Sequence, residues 1–321
     1  MRPRADFRRV AIIAKPGSRE ATLVAAELAE WLGRRRLTVA LDKTSLRACG
    51  GNGMEAFDPN ESYDLAVVLG GDGTLLSVAR RLANGTPLLG INLGRLGFLT
   101  EVGRTDLYPT MLRVLGGDFA LEERSLLKVE VDRQGEPRGS FRAFNDAVVA
   151  KATRSRIIDL SLWVDGNLVA RYRADGLIVS TPTGSTAYNL SAGGPILYPG
   201  LPIMMLTPIC PHTLSLRPVA VPDSSVVELV LETQREEVHL TVDGQENTTL
   251  GYRDRVRITR SPAQVRLVRI PGRSFYDSLR TKLRWGGLAK DDEDGEPSNV
   301  NVLSPGRTLA ERNTPGGPNK P

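Results

Sequence analysis

Apolar positions follow two different periods along this chain, and the change of period divides it. In the first third, short apolar runs alternate with longer stretches of helical spacing. The runs at 9–14, 37–41, 65–69 and 87–92 read as strands. Ala21, Val24, Ala25, Leu28, Trp31 and Leu32 fall on one face of a helix over 20–34. Leu75, Leu76, Val78, Ala79 and Leu82 do the same over 74–83, and a further helix is expected over 105–115. Residues 42–62, which include Gly50, Gly51 and Gly53, read as a long flexible connection. Strand and helix in alternation predict an α/β domain with a parallel sheet over 1–120.

After Gly116 and Gly117 the helical period disappears. Short β-rich runs follow at 126–131, 141–150, 158–164, 168–173, 176–180, 226–231, 238–242, 255–259 and 265–270. Turn signals separate them, among them Asp165-Gly166-Asn167 and Asp243-Gly244. An all-β domain over 121–273, built as two packed sheets, is expected. Residues 274–285 are weakly helical and are expected to pack back on the first domain. Residues 287–321 are acidic, then rich in Pro, Gly, Asn and Ser without an aromatic, and read as a disordered tail.

Composition narrows the class. With 40% hydrophobic and 25% charged residues, the 321-residue chain has a globular balance. No apolar run approaches the ~20 residues that cross a bilayer. The run at 10–14 is too short for the apolar segment of a signal peptide. A cytoplasmic protein without a membrane partner is expected. Cys49 and Cys210 are the only cysteines and imply no disulfide framework; Cys210 reads as a small buried hydrophobe. His212 and His239 are the only histidines, which argues against a His-rich zinc site, and His212 reads as a packing or hydrogen-bonding residue. Net charge is +5, and 35 of the 42 basic residues are Arg, whose forks suit phosphates. Nucleic acid is disfavoured, because the basic residues are dispersed and 5% aromatics leave no stacking platform.

The chemistry concentrates where the run at 65–69 ends, in Gly70, Gly71, Asp72, Gly73 and Thr74. A strand, a glycine turn and a helix place a carboxylate at the carboxyl edge of a parallel sheet, where ligands of open α/β sheets bind. Gly70, Gly71 and Gly73 allow backbone N–H groups close to a phosphate, and Thr74 is placed to cap the helix. A carboxylate repels phosphates, so Asp72 needs another role: taking a proton from a hydroxyl or holding a metal ion. No side-chain cluster of metal ligands is visible. The chain has no Gly-x-x-x-x-Gly-Lys-Ser/Thr, which excludes P-loop machinery. These five residues resemble a signature shared by NAD kinases, by lipid kinases of the diacylglycerol and sphingosine type and, with Ser for Thr, by 6-phosphofructokinases. In that superfamily the strand-borne Asp lies at the phosphoryl-transfer site.

A second stretch, 175–195, ends a β-run in a dense array of Gly, Ser and Thr, suited to a polyhydroxylic, phosphorylated ligand. It resembles the second motif of NAD kinases and not the pattern of lipid kinases or phosphofructokinases. Asn145 and Asp146 resemble the family's Asn-Glu/Asp pair, and 90–99 resembles its loop after the fourth strand. The resemblance runs over about 8–285. It implies an NAD kinase-like two-domain architecture and ATP-dependent (in some members polyphosphate-dependent) phosphorylation of the adenosine ribose 2′-hydroxyl of NAD, giving NADP. It also implies a divalent cation, Mg²⁺, and homodimers or homotetramers. By matching motif, Asp72 would accept the hydroxyl proton and Gly73 would support the dinucleotide. Gly70, Gly71, Gly73 and Thr74 would cradle ATP phosphates, and Asn145 and Asp146 would hold the ribose hydroxyls. Thr186, Ala187, Tyr188, Asn189, Leu190 and Ser191 would surround the adenine and ribose. Arg156, Arg173, Asp175 and Gln245 align with ligand-contacting positions in less distinctive text. A lipid kinase, which would want an apolar acceptor cleft, and a non-catalytic dinucleotide sensor remain the alternatives.

Overall fold

In the computed structural model the described residues are 7–284, apart from Asn52, Ala83, Arg95, Leu96, Thr153, Arg154, Leu214 and Arg273. The expected tail at 287–321 lies outside them. Strands β1 (Arg9–Ala14), β2 (Thr38–Leu41), β3 (Glu55–Ala56), β4 (Leu65–Leu69), β5 (Pro87–Asn92) and β6 (Val102–Gly103) pair in parallel. Helices α1 (Arg19–Gly33), α2 (Lys43–Ala48), α3 (Asp72–Arg81) and α4 (Leu107–Leu115) alternate with them. The order is β3-β2-β1-β4-β5. The chain therefore leaves β1 in one direction and β4 in the other, which opens a crevice at their carboxyl ends.

Local chemistry explains the elements. Ser18 caps α1 by accepting the Ala21 N–H at 3.2 Å. Asp42 caps α2, accepting the Thr44 and Ser45 N–H groups at 3.0 Å each. This cap makes the stretch after Asp42 a helix, so 42–62 is not the featureless connection expected. Helix α3 starts at Asp72, after an extended Gly71 that provides no side-chain cap. Thr74 lies within the first turn and does not cap it. Its hydroxyl instead fills the space over Gly70, where a Cβ would come within 2.6 Å of Oγ1.

The second half contains β7 (Ala120–Arg133), β8 (Glu136–Ala143), β9 (Asp146–Lys151), β10 (Ile158–Val164), β11 (Asn167–Ala174) and β12 (Gly176–Ser180). After α5 (Tyr188–Ser191) come β13 (Ile203–Ile209), β14 (Val219–Pro222), β15 (Val227–Leu231), β16 (Val238–Val242), β17 (Glu246–Leu250) and β18 (Arg255–Arg269), then α6 (Phe275–Leu283). Strands β13, β14 and β17 are not anticipated by the apolar pattern. Proline interrupts the first two, and β17 is a largely exposed strand at the sheet edge. Six of these strands form an antiparallel sheet, β14-β13-β12-β9-β16-β17. The others extend the parallel sheet: β18 pairs in parallel with β5 through Arg266 and Leu267, then leads on through β15 and β10 to β11. Leu127, Val149, Leu177, Leu229 and Ile258 belong to a single core cluster that joins the two sheets. No described helix is long and apolar enough to cross a membrane.

Candidate active site

Asp72 lies at the carboxyl end of β4, beside β1, at the crevice where the strand order reverses. Its carboxylate is held by the segment after β5. Oδ2 accepts the Phe98 N–H at 2.8 Å. Oδ1 accepts the Leu99 N–H at 3.2 Å, the Thr100 N–H at 3.0 Å and the Thr100 hydroxyl at 2.8 Å. The segment approaches so closely that a Cβ on Gly97 would overlap the Asp72 carboxylate. Beside Asp72, on the side of β1, a cleft of about 480 Å³ is lined by Lys15, Gly71, Gly73, Thr74, Arg81 and Gln245. Among the described residues, no three His, Cys, Asp or Glu side chains gather to hold a metal ion.

At Asn145 and Asp146 the chain changes sheet: β8 belongs to the first sheet and β9 to the second. Asp243 supports this crossover. It occupies the three-residue connection between β16 and β17 with φ +50°, followed by Gly244 at +65°, a tight turn with both φ values positive that the Gln245 N–H closes on the Val242 carbonyl at 3.0 Å. Its buried carboxylate accepts three consecutive N–H groups: Phe144 at 2.9 Å, Asn145 at 2.7 Å and Asp146 at 3.0 Å. On the other side of the crossover, the Thr181 hydroxyl donates to the Phe144 carbonyl at 2.7 Å and the Thr181 N–H to the Asn145 carbonyl at 2.8 Å. Asp146 is 4% exposed, and among the described residues no donor reaches its carboxyl group. Burial, with Asp243 nearby, pushes its pKa up to about 7. Burial also raises Asp243, against the three N–H groups and the Arg80 charge.

Arg80, near the end of α3, joins the two halves. Its buried guanidinium lies 3.3 Å from Asp243 Oδ2 and 3.1 Å from Glu246 Oε1. It also donates to the Gln245 side-chain oxygen at 2.9 Å. The Gln245 amide then donates to the Gly73 carbonyl at 2.8 Å. One turn, 243–246, thus touches the helix that carries Asp72 and the segment that carries Asp146. Sequence reading places Asp243 only in a hairpin turn, singles out 90–99 as a family-like loop without a role for Asn92, Phe98 or Leu99, and misses Arg80 and Thr100. The signal for Asp243 was present, since Asp-Gly in a turn frees the carboxylate to bond backbone elsewhere. For Arg80 none was visible.

The loop at 183–191 is built on its own hydrogen bonds. Asn189 is fully buried: its amide donates to the Ser185 and Pro195 carbonyls at 3.0 Å each and accepts the Thr207 hydroxyl at 2.6 Å. Its side chain therefore shapes the loop. Thr186, Ala187 and Leu190 are half-buried, and Tyr188 and Ser191 are exposed. Burial raises the Tyr188 phenol, with smaller contributions from the charges of Cys210, Asp175 and Asp146. Asp175 lies where the chain passes from β11 in the first sheet to β12 in the second, 3.8 Å from Lys151 Nζ. Arg156 and Arg173 are exposed and line a different cleft of about 750 Å³, with Ser155, Asp159 and Glu236. The structure does not bring them to Asp72. Cys210 is exposed, with φ +45°, because it follows the last residue of β13 in a turn and is not in the core. His212 is exposed; its backbone N–H, not its ring, bonds the Arg173 carbonyl at 2.9 Å.

Comparison with characterised proteins agrees with this geometry. Residues 10–119 match the ATP-NAD kinase N-terminal domain, and residues 144–270 match the ATP-NAD kinase C-terminal domain. The NAD kinase of Solibacter usitatus is 48% identical over 277 residues, which cover 86% of this chain and 96% of that one. The NAD kinase of Geobacter sulfurreducens is 46% identical over 282 residues, 87% and 99% of the two chains. Among solved structures, an NAD kinase from Archaeoglobus fulgidus in complex with ATP superposes with a TM-score of 0.66 at 26% identity, covering 86% of this chain and 98% of that one. Yeast NADH kinase complexed with NADH shares the fold, with a TM-score of 0.79 at 24% identity over 88% and 89% of the two chains. A glycine turn that carries Asp72 at the sheet's switch point, with both domain matches in order, shows that the chain belongs to the ATP-NAD kinase family.

Proposed function

We infer that this chain transfers the γ-phosphoryl group of ATP to the 2′-hydroxyl of the adenosine ribose of NAD, giving NADP and ADP. The observation that carries the reading is the placement of Asp72 at the switch-point crevice, in a chain 48% identical to an NAD kinase over most of its length. In this reading Asp72 accepts the hydroxyl proton as the 2′-oxygen bonds to the γ-phosphorus and the bond to the ADP oxygen breaks. The first turn of α3 and Gly70, Gly71, Gly73 and Thr74 take the phosphates, supported by the positive end of the helix. Asn145 and Asp146 take the ribose hydroxyls, and Tyr188 in the 183–191 loop takes the adenine. The described residues do not form a cage for a resident metal ion. Mg²⁺ therefore enters as part of the substrate Mg·ATP, held by phosphate oxygens.

The test is direct. Purified protein incubated with NAD and Mg·ATP should form NADP, read by an NADP-specific dehydrogenase. Parallel arms with polyphosphate and with NADH establish the donor and the acceptor. No NADP in any arm would overturn the reading. The family resemblance extends the proposal to a cytoplasmic homodimer or homotetramer, checked by light scattering on the eluting enzyme.

A further inference from the structure

The two oxygens of Asp72 are not equivalent. Oδ1 accepts three hydrogen bonds and Oδ2 accepts one. The direction of the third bond to Oδ1 is fixed from behind. Asn92 Nδ2 donates to Thr100 Oγ1 at 2.8 Å, and Asn92 Oδ1 accepts the Gly94 N–H at 2.8 Å. The Asn92 amide is thereby oriented, because only its oxygen can face the Gly94 N–H. Thr100 has one hydroxyl proton, and its oxygen already receives the Asn92 donor, so that proton points to Asp72. Thr100 is fully buried and Asn92 is 4% exposed, and neither opens onto the cleft beside α3. Gly90 makes the arrangement possible: a Cβ there would come within 2.8 Å of the Thr100 methyl group.

We propose that Thr100, oriented by Asn92, is a positioning residue that saturates Asp72 Oδ1 and so makes Oδ2 the atom that takes the substrate proton. The proposal rests on the reading of Asp72 as proton acceptor. An ionised carboxylate offers about four lone-pair sites, two on each oxygen. Three donors exceed what Oδ1 offers, whereas Oδ2 keeps one site free after the Phe98 bond. Proton transfer then runs from the 2′-hydroxyl to Oδ2, while Thr100 keeps its own proton. Holding the carboxylate in one rotation presents the same oxygen to each substrate molecule.

The test compares Thr100→Val, which removes the hydroxyl and keeps the shape, with Thr100→Ser, which restores it. Thr100→Val should lower kcat by about 10- to 100-fold, with KM for NAD and for ATP within about twofold. Thr100→Ser should recover most of kcat. A role in stability alone would lower the melting temperature and leave kcat per folded molecule unchanged, so both are measured, with activity read well below the melt. Asn92→Ala keeps the three N–H bonds to Asp72, removes the acceptor of the Gly94 N–H and frees the direction of the Thr100 hydroxyl, and it should lower kcat by about 3- to 10-fold. It decides the matter if Thr100→Val does not fold. Asp72→Asn runs alongside. If it keeps near-normal turnover, the reading of Asp72 fails. If it is inactive while Thr100→Val and Asn92→Ala turn over within twofold of the wild type, the positioning role is overturned.

Discussion

Asp146 carries an ionisation that should be visible in both stability and binding. Its carboxyl group is buried beside Asp243 and titrates at about 7. The folded pKa lies above the unfolded value, so the group favours the fold at low pH. That contribution is lost as pH rises from about 4 through 7. Asp146→Asn cannot ionise, so its melting temperature relative to the wild type should rise between pH 5 and pH 8. A flat difference across that range would mean that Asp146 is not titrating there. A ribose hydroxyl donating to the carboxylate would favour the ionised form, so KM for NAD should fall as pH rises through 7. Asp146→Ala should raise KM for NAD by roughly 10- to 100-fold and leave KM for ATP nearly unchanged. A second expectation concerns Gly97, where any Cβ overlaps the Asp72 carboxylate. Gly97→Ala should remove most turnover while circular dichroism stays native. At this scale the sequence exposes the residues that face a ligand, because their types are unusual for their surroundings. The residues that hold them, such as Thr100 and Asn92, look like any strand-end polar groups until the chain is folded.

Among the elements, α3 and the β16–β17 hairpin act as a pair. Arg80 and Asp243 are buried charges paired at 3.3 Å, and Asp243 also holds three N–H groups of the crossover. Removing one charge strands the other. Arg80→Met should cost about 3–5 kcal/mol in urea denaturation. The double variant with Asp243→Asn should cost clearly less than the sum of the two single changes. Additive losses would show that the two residues act independently. Parallel strands β1, β2, β4 and β5 and the long helices are legible in sequence because each buries apolar residues with its own period, whereas the two-residue strands β3 and β6 are too short to show one. Helix α2 is not, because six residues are too few for a period to emerge and Asp42 is its main signal. Edge strand β17 is missed because exposed strands carry polar residues. Arg80 is invisible because its partner is 163 residues away.

Across the whole molecule, the two matched family segments do not correspond to two separate sheets. β18 comes from the second and pairs with β5 from the first. A fragment ending near residue 119 lacks that neighbour and leaves the Pro87–Leu88 end of the β5 edge unpaired, while β6 still covers Ile91 and Asn92. It should be recovered mostly as aggregate, whereas soluble, cooperatively melting fragment would contradict this. In contrast, every buried apolar residue among the described residues lies between Val10 and Leu279. Deleting 288–321 should therefore leave melting temperature and activity within error. The pairing of β5 with β18 also sets a clock for biosynthesis. Leu88 meets Leu267, 179 residues further along the chain. At ribosomal speeds of about 5–20 residues per second, β5 waits roughly 10–40 s for its neighbour to be made. Throughout that interval the nascent first half carries an open strand end at Pro87 and Leu88, so chaperones that bind unpaired strands near the ribosomal exit are expected to engage it, which cross-linking of stalled nascent chains checks.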